Sequence, residues 1–390
     1  MSSEQWIEDI LLTLRADGLE RTLKPNIGLM QSPGSAGVLD FSSNDYLNLS
    51  RAPDVLAAMQ GVLSAGSGAS RLVSGTLPCH TALEHDLALF KGYAACLLFG
   101  AGYLANIGVV PVLVNRDDAV FSDRLVHASL IDGITLSRSR HFRFQHNSPD
   151  HLEQLLQKAS AARRPRMKFL CVVESIYSMD GDAAPLADIC ELVERFDASL
   201  LVDEAHAIGV FGRGGAGLVD ELALQHRVPC CTGTLSKALG SCGGFVVCSH
   251  LVKELIVNRS RPFIYNTALP PGVVQPAHAA LRKMQQDESL GAELRRRAQG
   301  FREMLQLGGL NTMGSISQIV PVMTKDSDAA VRLSAHLAAQ GIVAQAIRPQ
   351  TVPKGTARLR FSVTLAHSLD DLHRAAAVVI AEAAKLGIGG

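Results

Sequence analysis

Short apolar runs alternate with amphipathic stretches from about residue 46 to residue 282, as they do in a mostly parallel α/β sheet. The predicted strands are residues 95–99, 119–123, 141–145, 168–175, 199–204, 230–234 and 243–249. The predicted helices between them include residues 80–93, 127–137, 150–162 and 186–196. Glycine and polar residues gather where the strands end. Because open α/β sheets bind ligands at that edge, we expect the functional site there.

The pattern changes after residue 272, and it predicts a smaller second α/β unit. The predicted elements are a long charged helix over 273–308, strands over 316–324, 343–349 and 357–363, and helices over 327–340 and 368–386. We therefore expect an N-terminal arm (1–45), a large domain (46–282) and a small C-terminal domain (283–390). The arm carries apolar residues on one helical face, which indicates an amphipathic helix lying on the protein: Trp6, Ile10, Leu11 and Leu14.

The composition narrows the class of protein. Of 390 residues, 47% are hydrophobic, which supports a sizeable core. Lysine plus arginine and aspartate plus glutamate both number 37, so a net charge of zero gives no attraction to nucleic acid, and no such partner is expected. The apolar run 96–114 is interrupted by three glycines, Asn106 and Pro111, so no membrane segment is expected. Eight cysteines without a CxxC pair indicate reduced thiols of a cytoplasmic protein, and we predict no metal site.

Two motifs suggest functions that the rest of the chain excludes. Residues 203–206 ("DEAH") contain the letters of a helicase box, but the chain has no Gly-Lys dipeptide for a phosphate loop. Residues 99–108 ("FGAGYLANIG") match a dinucleotide-binding pattern, yet the acid expected about 20 residues further on is missing. The glycines at this helix start still suit a phosphate group. Asp203, at a strand end, either serves a ligand or caps the next helix.

Lys237 is the one charged residue of "CCTGTLSKALGSCGG" (230–244), and three roles are open to it: a surface lysine, a phosphate-binding lysine or a reactive amine. A phosphorylated cofactor with a basic ring nitrogen, such as pyridoxal phosphate, needs a helix N-terminus, hydroxyl donors, a carboxylate and an amine. The chain offers this set in the order named: Gly102 and Tyr103, Ser178 and Thr234, Asp203, and Lys237. The small neighbours of Lys237 keep its amine dry, which lowers its pKa toward reactivity.

The chain resembles the α-oxoamine synthases, a group of fold-type-I pyridoxal-phosphate enzymes, over essentially its full length. The matching stretches are residues 41–50, 66–76, 123–133, 175–186, 201–212, 233–240, 264–271 and 347–360. The resemblance implies a large, mostly parallel sheet domain with helices on both faces, a smaller C-terminal α/β domain, and an acyltransferase that uses pyridoxal 5'-phosphate. The stretch 347–360 ("IRPQTVPKGTARLR") is typical of the branch that joins L-alanine to a pimeloyl thioester, of CoA or acyl carrier protein, in biotin biosynthesis.

The resemblance also implies roles for individual residues. Lys237 would carry the cofactor and move the substrate α-proton, Asp203 would hold the ring nitrogen, and His206 the phenolic oxygen. His127 would stack on the ring and lie close to the substrate. The remaining cofactor contacts would be Gly102, Tyr103, Ser178, Thr234 and, from the neighbouring subunit of a homodimer with shared active sites, Thr267. The remaining substrate contacts would be Arg360 for the amino-acid carboxylate, Thr351, and Arg21 for the acyl donor. Glu174 would steady the network; the alternative is a strand-end surface acid.

One stretch departs from the pattern of the biotin branch. Residues 69–72 ("ASRL") replace its glycine- and histidine-containing sequence, and the apolar Leu72 fits a long aliphatic acyl chain better than a short acid. Three alternatives stay open. They are a member of the group with another substrate pair, such as glycine and an acetyl thioester, an aminotransferase, and a binding subunit that has lost its chemistry. The presence of both Lys237 and Asp203 counts against the last.

Overall fold

The computed structural model describes residues 4–16, 20–21, 23 and 37–389. Its strands, in chain order, are β1 (Leu39–Asp40), β2 (Ala95–Phe99), β3 (Ala119–Asp123), β4 (Arg140–Phe144), β5 (Phe169–Glu174), β6 (Ser199–Asp203), β7 (Cys230–Thr234), β8 (Gly244–Cys248), β9 (Ile319–Lys325), β10 (Ile342–Val343), β11 (Gln345–Ile347) and β12 (Ala357–Ser362). Its α-helices are α1 (Gln5–Ala16), α2 (Pro53–Gln60), α3 (Pro78–Lys91), α4 (Gly102–Leu113), α5 (Ala128–Ser137), α6 (Pro149–Ser160), α7 (Leu186–Arg195), α8 (Leu218–Glu221), α9 (His250–Arg259), α10 (Arg261–Ile264), α11 (Pro271–Gln286), α12 (Leu290–Leu307), α13 (Ser327–Ala339) and α14 (Leu369–Lys385).

The centre of the described chain is a seven-stranded sheet with the strand order β2-β8-β7-β6-β5-β3-β4. β8 runs antiparallel to both of its neighbours, and the other pairs are parallel. Every residue of β2, β3, β5, β7 and β8 is buried, as expected for a sheet covered by helices on both faces. The sequence prediction of these strands is confirmed to within one residue at each end. The fold class is therefore the predicted one.

The C-terminal part is built on a smaller antiparallel sheet with the order β11-β12-β9. The N-terminal strand β1 joins this region, because Leu39 pairs with Ile342 of β10 in a parallel bridge. The Phe41 ring then stacks on Phe301 of α12, with centroids 5.3 Å apart. Residues 39–41 thus pack with the C-terminal elements. The predicted division into three parts stays a prediction, and its boundary after residue 282 falls inside α11.

The predicted single helix over 273–308 is wrong, because the structure has two helices there, α11 and α12. The break lies at residues 287–289. The Asp287 carboxylate accepts hydrogen bonds from both the backbone N–H and the hydroxyl of Ser289, at 3.1 and 2.5 Å. Such local side-chain bonds compete with the helical pattern and favour a turn. The predicted strand over 343–349 is likewise divided, into β10 and β11.

The predicted N-terminal helix forms as α1, but it does not lie on the body of the chain. None of its residues is buried, and Trp6 and Ile10 are 61% and 50% exposed. Other parts of the predicted arm, residues 1–3, 17–19, 22 and 24–36, lie outside the described residues. In the part of the chain that the structure describes, no helix combines the length and apolar character needed to cross a membrane.

Candidate active site

The candidate site lies where the central parallel strands end. β5 ends at Glu174, β6 ends at Asp203, and β7 ends three residues before Lys237. In the sheet register Glu174 is the partner of Asp203, and Asp203 is the partner of Thr232. Residues paired in this way project on the same face of a sheet, so the two carboxyl groups are neighbours. These positions support the expectation that the functional site lies at this edge of the sheet.

Lys237 contacts a histidine and has no acid as a hydrogen-bond partner. Its Nζ lies 2.8 Å from Nε2 of His206, whose Nδ1 lies 2.6 Å from the Tyr46 hydroxyl. Burial lowers the pKa of His206 well below its ordinary value, so this imidazole is neutral. The Tyr46 oxygen accepts a hydrogen bond from Arg360 at 3.4 Å, and its hydroxyl donates to Asn44 Oδ1 at 3.1 Å. His206 Nε2 and the Lys237 amine are thus hydrogen-bond partners, and the tautomer of the imidazole sets which of them donates.

The pKa of Lys237 is lowered to about 8. Burial is the main cause, and the nearby Arg360 cation adds to it, while Asp203 and Glu174 oppose it. A neutral amine is therefore available at mildly basic pH, as a nucleophile or base requires. The small residues around Lys237 thus have the effect that the sequence predicted.

Asp203 is held by a network that the sequence analysis did not find. Its carboxylate accepts hydrogen bonds from Asn106 Nδ2 at 2.7 Å and from the Ala205 N–H at 2.9 Å. Asn106 also donates to the Ser129 hydroxyl at 2.9 Å and accepts from Thr232 at 2.7 Å. Asn106 is the one amide side chain in the apolar helix α4, and that isolated polar position was the available signal. These bonds fix the direction of the Asp203 carboxylate.

His127 occupies the N-cap of α5, beside this network. Its Nδ1 lies 2.7 Å from the Ser129 hydroxyl and accepts the Ser129 N–H at 3.2 Å. Burial lowers the pKa of His127, so the ring is neutral. Since Ser129 also bonds to Asn106, one chain of contacts links His127 to Asp203. The structure therefore brings together Lys237, His206, Asp203 and His127.

Glu174 is not a surface acid, which excludes that alternative. Its side chain is buried, and its Oε1 has no hydrogen-bond partner. Burial, and next the neighbouring Asp203 carboxylate, raise the pKa of Glu174 well above its ordinary value. Glu174 therefore presents a buried carboxyl oxygen without a partner at the end of β5.

The start of α4, whose first N–H groups would bind the cofactor phosphate, packs closely on the end of β7 and the start of β8. A Cβ added to Gly102 would lie 3.2 Å from the Thr234 Cβ, and one added to Gly244 would lie 2.4 Å from the Ala101 carbonyl oxygen. Tyr103 follows at the second position of the helix, where the N–H groups are free of helical partners. Its phenol donates to Asp132, so Tyr103 offers its backbone N–H, and not its side chain, at the start of the helix. The hydroxyl of Thr234 donates to the Gly243 carbonyl at 2.9 Å and accepts the Ser236 N–H.

Arg360 is a buried cation, 6% exposed, whose partners are all neutral. Its Nε donates to the Ser178 carbonyl at 2.6 Å, and both Nη atoms lie 3.2 Å from Asn44 Oδ1. Nη1 also donates to the Ser362 hydroxyl at 2.8 Å. Asn44 and Tyr46 belong to a stretch used for the family resemblance, but no pattern in the sequence distinguishes them individually. The guanidinium is oriented by neutral groups and lacks an anion.

Three predicted site residues lie apart from this cluster. Thr267 is exposed and forms an isolated β-bridge with Ser70. Thr351 is exposed in the turn after β11, and Arg21 is exposed on the N-terminal segment. Their assigned roles stay predictions.

The donor set matches the four requirements of pyridoxal phosphate. Lys237 offers a largely buried amine of lowered pKa, and Asp203 an oriented carboxylate. The free N–H groups at the start of α4 suit a phosphate, and the Oε1 of Glu174 is a buried polar atom still without a partner. The residues present therefore fit this cofactor.

The fold and the site define a fold-type-I pyridoxal-phosphate enzyme, and the chain belongs to the family "Aminotransferase class I and II", which it matches over residues 36–379. It is 43% identical over 389 residues to an 8-amino-7-oxononanoate synthase of Geobacter sulfurreducens, with 97% of this chain and 98% of the relative covered. A solved serine palmitoyltransferase of S. paucimobilis with bound PLP-myriocin aldimine has a TM-score of 0.91 at 29% identity, covering 99% of both chains. An 8-amino-7-oxononanoate synthase of Francisella tularensis has a TM-score of 0.76 at 27% identity, covering 89% of this chain and 98% of that one.

These likenesses confirm three predictions. The chain is an enzyme, its fold is that of the fold-type-I transferases, and its cofactor is pyridoxal 5'-phosphate. They also confirm an acyltransferase of the α-oxoamine synthase group, because both named activities belong to relatives that match nearly the whole chain.

Proposed function

We propose that this protein is an 8-amino-7-oxononanoate synthase, which joins L-alanine to a pimeloyl thioester and releases CO₂ and the free thiol. The observation that carries the proposal is the buried Arg360 guanidinium, which has only neutral partners and shares Tyr46 with His206. A buried cation is costly without an anion, and an amino-acid carboxylate supplies one with bidentate geometry. The 43% identity to a relative of that name supports the choice of reaction within the family.

We assign the cofactor to the residues at the strand ends. Bound pyridoxal 5'-phosphate supplies an electron-withdrawing ring that stabilises negative charge at the amino-acid α-carbon. Lys237 holds the cofactor through its amine, and Asp203 keeps the ring nitrogen protonated. The hydrogen bonds from Asn106 and Ala205 orient the Asp203 carboxylate for this role. His127 covers one face of the ring, and Gly102, Tyr103, Ser178 and Thr234 surround the phosphate and the phenolic oxygen.

We assign the proton transfers to Lys237. Its pKa of about 8 leaves a useful fraction of neutral amine near neutral pH, so Nζ can take the α-proton of alanine and later return it. His206, held by Tyr46, directs that amine. Arg360 holds the carboxylate before it leaves as CO₂, and His127 lies close to the reacting carbons. The buried position of the site excludes water while negative charge develops at the α-carbon of the substrate.

We propose a homodimer in which the exposed Thr267 reaches the phosphate bound by a second copy. Arg21, Thr351 and the half-exposed Leu72 are then available to the acyl donor, whether it is pimeloyl-CoA or pimeloyl-acyl carrier protein. All eight cysteines are unpaired, which supports a reducing compartment and hence the cytoplasm.

The proposal is tested by turnover of the cofactor-loaded protein with three substrate pairs. We expect L-alanine with pimeloyl-CoA to give CO₂ and 8-amino-7-oxononanoate, measured by mass spectrometry. Glycine with acetyl-CoA and L-serine with palmitoyl-CoA should be turned over much more slowly. Preferred turnover of either other pair, or formation of a stable pyridoxamine form with alanine, would overturn the proposed function.

Asp203→Asn tests the assignment within the site. The variant should keep the fold but lose activity by about a hundredfold or more, because an amide cannot keep the ring nitrogen protonated. Asp188→Asn, on the exposed face of α7, is the control and should be fully active. Near-normal turnover of Asp203→Asn would contradict the role given to this carboxylate.

A further inference from the structure

The segment between β5 and α7, residues 175–183, is held in place from several sides, and we call it the 175–183 loop. Within it, the Tyr177 N–H donates to the Asp182 carbonyl at 3.0 Å, and the Gly181 N–H donates to the Tyr177 carbonyl at 2.9 Å. Gly181 has a φ of 71°, and a Cβ there would lie 2.2 Å from the Ile319 carbonyl oxygen. Only glycine fits, so the loop has one conformation against β9.

A charged contact with His146 holds the loop at Asp182. The His146 Nε2 lies 2.9 Å from an oxygen of Asp182, and its Nδ1 lies 3.1 Å from Asp123 at the end of β3. The two carboxylates hold the pKa of His146 up to about 10 against the opposing effect of burial, so the imidazole is a cation between two anions. Asn147 adds hydrogen bonds to Asp182 at 2.8 Å and to the Ala183 carbonyl at 3.0 Å.

Two arginines of β12 hold the loop at residues 178–180. Arg358 and Arg360 are two residues apart and therefore lie on the same face of the strand. Arg358, 2% exposed, donates to the Asp180 carboxylate and also contacts the Met179 carbonyl at 3.5 Å. Arg360 donates through Nε to the Ser178 carbonyl at 2.6 Å. The loop thus gives an anion to one arginine and a carbonyl oxygen to the other.

The two arginines differ in whether an acid of the protein balances their charge. The charge of Arg358 is matched within the protein, while Arg360 has no acid among its partners. A guanidinium is planar, so a hydrogen bond that fixes Nε also fixes the plane in which the two Nη groups lie. The position of the Ser178 carbonyl therefore sets the direction in which Arg360 presents its outer nitrogens. That carbonyl lies two residues from Asp180.

We propose that Arg358, through its ion pair with Asp180, is a positioning residue that sets the orientation of Arg360 toward the carboxylate of the amino-acid substrate. The inference rests on the proposed function only in giving Arg360 an amino-acid carboxylate as its ligand. A buried ion pair is weak as a source of stability, because desolvation offsets most of the attraction. Its value here is geometric, because it ties Asp180 of the 175–183 loop to β12, while His146 holds Asp182 of the same loop.

The test compares Arg358→Gln, Asp180→Asn and the double variant, all as cofactor-loaded enzyme. We expect each single variant to raise KM for L-alanine by about tenfold or more with kcat changed by less than about threefold, since ground-state positioning is lost and the reacting groups are intact. The dissociation constant of L-alanine, measured by titrating the absorbance of the bound cofactor, should rise in parallel. The double variant should resemble the single ones, because both remove the same contact.

Arg297→Gln is the matched control. Arg297 is also partly buried in the C-terminal region, and it donates only to the carbonyls of Leu365 and His367 and to the Glu293 carboxylate. It should keep the wild-type KM and dissociation constant. Melting temperatures of all variants show whether they are folded. If Arg358→Gln does not fold, the KM and dissociation constant of the isosteric Asp180→Asn test the positioning role.

Two failures are distinguishable. Wild-type affinity for alanine in Asp180→Asn and Arg358→Gln, or a loss of kcat and melting temperature with an unchanged KM, would overturn the positioning role. If the wild-type enzyme prefers glycine or serine, the proposed function fails, and the same comparison is made with that amino acid. The positioning role of Arg358 is then tested by the shift in KM for that amino acid, because the carboxylate is common to all amino acids.

Discussion

Two lysines with buried amines lie close to the end of β6 and have different surroundings, although Lys237 as a whole residue is only partly buried. Lys91, the last residue of α3, is 1% exposed and donates to the Glu204 carboxylate and the Ala216 carbonyl. Lys237 is near the same strand end, but its hydrogen-bond partner is the neutral His206. Glu204, the partner of Lys91, directly follows Asp203 in the chain.

The comparison teaches that the partner decides what a buried lysine does. An acid in direct contact offsets the cost of burying the Lys91 ammonium, and the ion pair joins α3 to the 204–217 region. Without such contact, burial lowers the pKa of Lys237 to about 8. The same residue type is a structural cation in one place and a reactive amine 146 positions later in the sequence.

Replacing the reactive lysine should give the largest effect. Lys237→Ala removes the only amine assigned to hold the cofactor and move the α-proton, so kcat/KM should fall by about 10⁴-fold or more with the fold intact. The visible absorbance band of cofactor attached through a lysine should also be absent. Lys158→Ala, on the exposed face of α6, is the control and should keep both signals. A normal band in Lys237→Ala would show that another amine holds the cofactor.

Replacing the structural lysine should instead lower stability. Lys91→Met leaves Glu204 buried without its cation, and the free energy of unfolding should fall by about 3–5 kcal/mol. Urea denaturation of the variant and the wild type measures this difference. The double variant Lys91→Met/Glu204→Leu should recover part of the loss, because it also removes the unmatched charge. Equal stability of wild type and Lys91→Met would end the contrast between the two lysines.

The smallest expected effect is a pH dependence of stability in the cofactor-free protein. The pKa of Lys237 is about 8 in the folded chain and 10.5 ordinarily, so between these values the unfolded chain binds more protons. The free energy of unfolding should therefore rise with pH across this window, by on the order of 1 kcal/mol after allowing for solvent near the amine. Urea denaturation at pH 7.5 and 9.5 should show this rise in wild type, and a smaller one in Lys237→Met. An identical pH response in the two proteins would contradict the lowered pKa.

The elements could be predicted because each depends on a local pattern. The strands ending at Glu174 and Asp203 have continuous apolar runs bounded by polar residues, and these runs fix the strand ends closely. The break between α11 and α12 was missed because the charged pattern continues through residues 287–289. Only the turn formed by Asp287 and Ser289 interrupts it.

The site was predictable where a residue type itself carries the chemistry, as with Lys237 and Asp203. It was not predictable where the role comes from a distant partner. Tyr46 contacts His206 across 160 residues of sequence, and Lys91 contacts Glu204 across 113. A tyrosine or lysine in an ordinary helical or turn sequence carries no sign of such a partner. These contacts exist only after the central sheet and the segments packed around it have come together.

The pairing of β1 with β10 has a consequence for how the chain folds during synthesis. Leu39 and Ile342 are partners about 300 residues apart, so the ribosome makes one strand long before the other. At ordinary rates of translation β1 waits roughly 15 to 60 s for its partner. The segment with Asn44 and Tyr46 leads directly from β1 into the active site, and its contacts with Arg360 can form only when the C-terminal region emerges. The central sheet can form early, but the binding site for the amino acid is completed last.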